Sequence, residues 1–208
     1  MLSGSSQQEP PKLEKQKAFN RENGYNIEGL TFAPYISSTE LELIVNNIAE
    51  EINNTYTYIN TPKPVIILGV LNGAFMFLAD LVKKLNIPCE IHFLKVASYE
   101  GMESTGEIIE LIGLNANISN RDILIVEDII DTGLTIKNLR LNIAAQSPKS
   151  LKVCTLLYKQ RVENQIDYLI DFIGKIIEDK FVIGYGLDYN KLGRNLDSIY
   201  VLSDNENL

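Results

Sequence analysis

One histidine and two cysteines occur in 208 residues, and the 19 basic residues are outnumbered by 27 acidic ones. Each shortage closes off a class of function. A lone histidine, His92, leaves multi-histidine metal sites and Ser-His-Asp catalysis little to build on. It alternates with Ile91 and Phe93 in IPCEIHFLKV, the setting of a strand residue. Cys89 and Cys154 lie far apart with no CxxC and no histidine partner, so neither a zinc site nor a disulfide framework is indicated. Two reduced thiols in a cytoplasmic protein are the expectation. The formal charge of −8 lacks the basic face that nucleic acid or an acidic membrane requires, so neither is an expected partner. No apolar run reaches the ~20 residues of a membrane span. The first 26 residues show no secretory signal, only Gly, Ser, Gln, Pro and mixed charges.

What remains is a chain 45% apolar and long enough for one sizeable core. Residues 1–26, polar and without periodicity, read as a flexible arm, and 27–208 as a single domain. Ser38-Thr39-Glu40 opens a helix with Leu41, Ile44, Val45 and Ile48 on one face, and Asn53 to Pro64 reads as a loop. PVIILGV, from Pro64 to Val70, is a buried strand, since an unbroken β-branched run leaves no solvent face. Asn72-Gly73 turns the chain into a helix over Ala74 to Leu85. Further strands are expected at Pro88 to Ala97, Glu107 to Leu114, Ile123 to Val126, Leu151 to Tyr158, Phe181 to Ile183 and Ile199 to Leu202. A helix is expected at Thr135 to Ala145. The alternation predicts an α/β fold, a mostly parallel twisted sheet flanked by helices.

The stretch ILIVEDIIDTGLT, residues 123 to 135, is the most informative. An apolar strand gives way to Glu127, Asp128 and Asp131, then to Thr132-Gly133 and a helix. Ligands of open parallel sheets bind beyond the carboxyl ends of the strands. The backbone N–H groups of Thr132 to Thr135, at a helix N-terminus, form a phosphate site. Three carboxylates beside a phosphate repel it, unless the ligand also brings sugar hydroxyls and a magnesium ion. A phosphorylated sugar meets both demands. One aspartate suffices to cap a helix; three acids and a Thr-Gly turn ask for more. A Walker A loop and a GxGxxG fingerprint are both absent.

VEDIIDTG, residues 126 to 133, resembles the phosphoribosyl-pyrophosphate (PRPP) signature of type I phosphoribosyltransferases. GVLNGAFMFLADL, the SY…STG loop, LLYK and DKFVIGYGLDYN, in order from about Phe32 to Leu202, are similar to the hypoxanthine-guanine branch. The resemblance implies the type I fold with a small hood carrying the base pocket. It implies transfer of the 5-phosphoribosyl group to N9 of hypoxanthine or guanine, giving IMP or GMP and pyrophosphate, with Mg²⁺ as cofactor. PRPP and a 6-oxopurine are then the partners, and a homodimer or homotetramer the assembly. Glu127 and Asp128 match the ribose and magnesium positions, Asp131 the general base at purine N7. Thr132, Gly133, Leu134 and Thr135 match the 5′-phosphate cradle. Leu71, Asn72, Gly73 and Arg194 match pyrophosphate contacts, although many relatives carry lysine where Asn72 stands. Lys159, Phe181, Val182 and Asp188 match the base pocket, with Asp188 also near the magnesium. Ser98 and Tyr99 match a lid over the reacting centre.

The residue types agree with this. Lys159 follows a strand, and an ammonium, which only donates, suits a 6-oxo group and mismatches an amino group. Phe181 offers a flat face for a purine, though a core aromatic reads the same way in sequence. Other readings are a PRPP-sensing regulator of the same fold, which needs a basic surface, and an enzyme preferring xanthine.

Overall fold

The computed structural model describes residues 24–59, 63–97, 108–110, 117–160, 166 and 168–203. In chain order the elements are β1 (Tyr25–Ile27), β2 (Leu30–Ile36), α1 (Ser38–Ile59), β3 (Val65–Leu71), α2 (Phe75–Val82), β4 (Cys89–Ala97), β5 (Ile108–Glu110) and β6 (Asp122–Ile130). They continue through α3 (Leu134–Ala144), β7 (Ser150–Lys159), β8 (Phe172–Ile177), β9 (Val182–Ile183) and β10 (Ile199–Leu202). The loop expected to act as a lid, Ser98 to Gly106, and the first 23 residues lie outside the described residues.

Six strands form the main sheet in the order β5-β4-β3-β6-β7-β8, with β5 antiparallel on the edge and the other five parallel. The central strand β3 is buried from Val65 to Val70, as its unbroken apolar run requires. One face carries α1 and α2, packed through Leu41, Val45, Ile52, Phe77 and Leu81. The other carries α3, packed through Ile136, Leu139 and Ile143. Chain order reverses between β3 and β6, and such a switch point opens a crevice at the strands' carboxyl ends. A second, antiparallel sheet, β1-β2-β10-β9, has its own core of Tyr25, Ile27, Phe32, Ile183, Leu196 and Tyr200. It is the hood, and it brings β9 over the crevice.

Several boundaries differ from the sequence reading. Tyr25 is buried in β1, so Gly24 to Asn26 belong to the folded body and not to the arm. Asn53 to Ile59 is helix where a loop was expected, because Ile52 and Tyr56 extend the buried stripe. The Asn53 side chain also bridges to the end of α2, donating to the Lys84 carbonyl at 3.0 Å and accepting the Asn86 N–H at 2.7 Å. Those contacts override the weak helix propensity of Asn and Thr. β2 contains Pro34, which in sequence argues against a strand; a register shift opposite Ile199 and Tyr200 accommodates it. β8 contains Gly174, where a Cβ would fall 2.6 Å from both Ile44 of α1 and the Leu156 carbonyl. The glycine lets helix and sheet approach closely.

Candidate active site

β6 runs four residues further than its apolar stretch suggests, so Glu127 and Asp128 sit within the strand and not beyond it. Glu127 is in register with Thr155 of β7. Strand alternation sends the two carboxylates to different sides, yet both reach one cleft of about 390 Å³ at the switch point. Burial raises the Glu127 carboxyl well above the ordinary range, and the neighbouring Asp128 charge adds to the effect. Burial also pushes Asp128 up to about 6, opposed by the backbone N–H groups of Ile129 and Asp128 and by the Arg194 charge. Each of the two carboxyls also shifts the other's proton affinity. Glu127 Oε2 is sealed from solvent and has no hydrogen-bond partner.

An orphaned, buried carboxylate oxygen facing a cleft is a ligand waiting for a cation or a hydroxyl donor. Among the described residues no three Asp, Glu, His or Cys side chains gather closely enough to hold a metal alone. Two adjacent carboxylates suit Mg²⁺, which is commonly held by one or two of them together with substrate phosphates. Asp188 is engaged otherwise: it pairs with Arg194 and accepts the Lys191 N–H at 2.6 Å. Both of its oxygens are occupied, which makes it the weaker candidate ligand.

Beyond β6, Asp131 begins the turn into α3. Gly133 is the helix N-cap at φ +81°, a left-handed conformation that glycine adopts without strain, and the first helical N–H, of Leu134, donates to Thr132 Oγ1 at 3.4 Å. Tyr168 donates to the Gly133 carbonyl at 3.1 Å, and Ile166 packs where a Cβ would stand, so the turn is held from behind. Thr135 lines the cleft; Thr132, Gly133 and Leu134 are not among its lining residues.

Leu71, Asn72 and Gly73 follow β3 and form the facing wall, with a cis peptide between Leu71 and Asn72. A Cβ on Gly73 would lie 1.6 Å from Asp128 Oδ2, so this loop and the acidic strand end are fitted against each other. Gly186 seals the same junction, with space for a Cβ blocked 1.9 Å away by the Gly73 carbonyl. Arg194 donates to the Gly186 carbonyl at 2.6 Å and lines the cleft beside Asp188.

Lys159 ends β7 and is only 6% exposed, which excludes a merely solvated side chain. Its ammonium donates to Asp131 Oδ2 at 3.0 Å and lies 3.5 Å from Asp179 Oδ1. Phe181 has a place in both the core and the cleft. Its ring packs on the hood core, 6.3 Å from Phe32 and 5.9 Å edge-on to Tyr189, while the residue also lines the cleft next to Val182. Val70, Ile129 and Leu187 complete the apolar lining and carried no signal in sequence beyond hydrophobicity. Asp179 was also missed, since its pairing with Lys159 is set by folding and not by spacing.

Residues 36–190 match the family model of the phosphoribosyl transferase domain. The hypoxanthine-guanine phosphoribosyltransferase of Aquifex aeolicus is 36% identical over 179 residues, 86% of this chain and 98% of that protein. The hypoxanthine phosphoribosyltransferase of Buchnera aphidicola is 40% identical over 170 residues, 81% of this chain and 94% of the relative. Among solved structures, a variant of Trypanosoma cruzi hypoxanthine phosphoribosyltransferase complexed with its product IMP superposes with a TM-score of 0.77. It is 33% identical, with 87% of this chain and 94% of that one covered. With the acidic strand end, the glycine-capped turn and the hood all in place, the chain belongs to the hypoxanthine-guanine branch of the phosphoribosyltransferase family.

Proposed function

We propose that this protein salvages 6-oxopurines, joining hypoxanthine or guanine through N9 to the 5-phosphoribosyl group of PRPP and releasing pyrophosphate. The observation that carries this is the pairing of Asp131 with the buried Lys159 in a cleft that Phe181 also lines. It supplies a carboxylate for purine N7, a donor for the 6-oxo group and an aromatic face for the ring, all beside the phosphate turn. The Val182 carbonyl and Asp188 take the opposite edge of the base. Glu127 and Asp128 hold the ribose hydroxyls, and the turn from Thr132 to Thr135 takes the 5′-phosphate on its N–H groups. Leu71 to Gly73 and Arg194 take the pyrophosphate, with main-chain N–H groups standing in where Asn72 replaces a cation.

Magnesium fits beside Glu127 and Asp128, and when bound it offsets charge on the departing pyrophosphate. Asp131 does the proton work. It accepts from N7 as N9 bonds to the ribosyl carbon, and its charge steadies the cationic centre that forms. The hood's aromatic wall keeps water from competing with the base for that centre. The protein is read as an oligomer of the cytoplasm. Among the described residues no helix is long and apolar enough to cross a membrane. Incubation with PRPP, Mg²⁺ and hypoxanthine, followed by chromatography, tests the proposal. IMP and pyrophosphate should appear in equal amounts, and hydrolysis of PRPP without IMP would refute it.

A further inference from the structure

Lys159 and Asp131 are engaged with each other, Nζ to Oδ2 at 3.0 Å. On the function proposed above, each must instead face the purine, Lys159 at the 6-oxo group and Asp131 at N7. An ammonium as buried as that of Lys159 does not leave a carboxylate without another anion to balance it. Asp179 is such an anion. Its Oδ1 lies 3.5 Å from the same Nζ, and it is not among the residues lining the cleft, so it does not compete for the base.

The fold explains why Asp179 is there. β7 and β8 run in parallel register to their last pair, Lys159 with Ile177, and Gln160 N–H continues the ladder to the Ile177 carbonyl at 3.1 Å. The residues just after β8 are therefore pinned beside the end of β7. Asp179 falls there, two positions before Phe181, where the chain turns up into the hood. Its side chain is half exposed, so it pays little desolvation cost while reaching inward to a lysine whose side chain is 8% exposed.

We propose that Asp179 is a positioning residue for Lys159. It holds the ammonium as this turns from Asp131 to the 6-oxo group, and thereby frees Asp131 to accept the N7 proton. With a neutral side chain at 179, Asp131 is left as the stronger anion for Lys159, and the pair that must open stays closed. This rests on the function proposed above.

The test is steady-state kinetics of the full chain, wild type, Asp179→Asn and Asp179→Glu, with Mg²⁺, PRPP and hypoxanthine. Asp179→Asn should lower kcat/KM for hypoxanthine about fivefold, the upper range for a half-exposed ion-pair partner. KM for PRPP and Tm should stay unchanged, and Asp179→Glu should recover most of the loss. A fall of less than twofold overturns the proposal. So does an equal rise in KM for PRPP or a clear drop in Tm, which would make the residue merely structural. A wild type that makes no nucleotide overturns the reading of the whole site; an active wild type with an unaffected variant overturns the role of Asp179 alone.

Discussion

Asp128→Asn should make the protein more stable at pH 8 while impairing its activity. Burial raises Asp128 from 3.8 to about 6, and at about 1.36 kcal/mol per pH unit this corresponds to about 3 kcal/mol. Because the folded value lies above the unfolded one, the associated stability is fully present below pH 3.8 and lost as pH rises through about 6. At pH 8 the folded protein carries an ionised carboxylate in a site that disfavours it. Asparagine removes that charge at nearly constant volume. It also weakens the bonds from the backbone N–H groups of Ile129 and residue 128, at about 1 kcal/mol each, and the attraction of Arg194. A net gain of at most ~1 kcal/mol remains, or about 2–4 °C in Tm for a chain of this size. Scanning calorimetry in EDTA without PRPP, at pH 5 and pH 8, measures it. The gain should be confined to pH 8. A variant with equal or lower Tm at pH 8, or one that keeps the wild-type pH dependence, would refute the reasoning.

Asp131→Asn should still bind PRPP, followed by calorimetry, while turnover falls ~10²-fold or more, the usual contribution of a general base. Lys159→Ala should lose hypoxanthine use with a Tm lowered by at most a few degrees, because its carboxylate partners Asp131 and Asp179 are 41% and 50% exposed and rehydrate readily. Unchanged kinetics in that variant would move the base pocket elsewhere. Gly73→Ala should weaken PRPP binding ~10-fold or more, since its Cβ, 1.6 Å from Asp128 Oδ2, must displace the carboxylate or the loop at ~1–3 kcal/mol. PRPP affinity equal to wild type would show that loop and acids are not coupled.

The parallel sheet was legible because its strands are continuous apolar runs, and α1 because Leu41, Val45 and Ile48 repeat at helical spacing. Two strands were less so. β2, in the hood, carries a proline and β8, on the edge of the main sheet, a glycine, residues that weaken the local signal and make sense only once the Tyr200 partner and α1 are in place. The site shows the same division. Glu127, Asp128, Asp131 and Lys159 announce themselves as charges at the ends of apolar strands, where burial needs a reason. Asp179 does not, because an aspartate in a polar turn is ordinary until the β7–β8 register sets it beside Lys159. The engagement of Asp188 by Arg194 and Lys191 is likewise a tertiary fact.

The central claim is that Lys159 and Asp131 select a base with a 6-oxo group. The ratio of kcat/KM for hypoxanthine to that for adenine, with PRPP and Mg²⁺ saturating, tests it most directly. A donor facing a 6-amino group leaves two donors opposed, so the ratio should reach ~10⁴. Comparable use of the two bases would contradict the account.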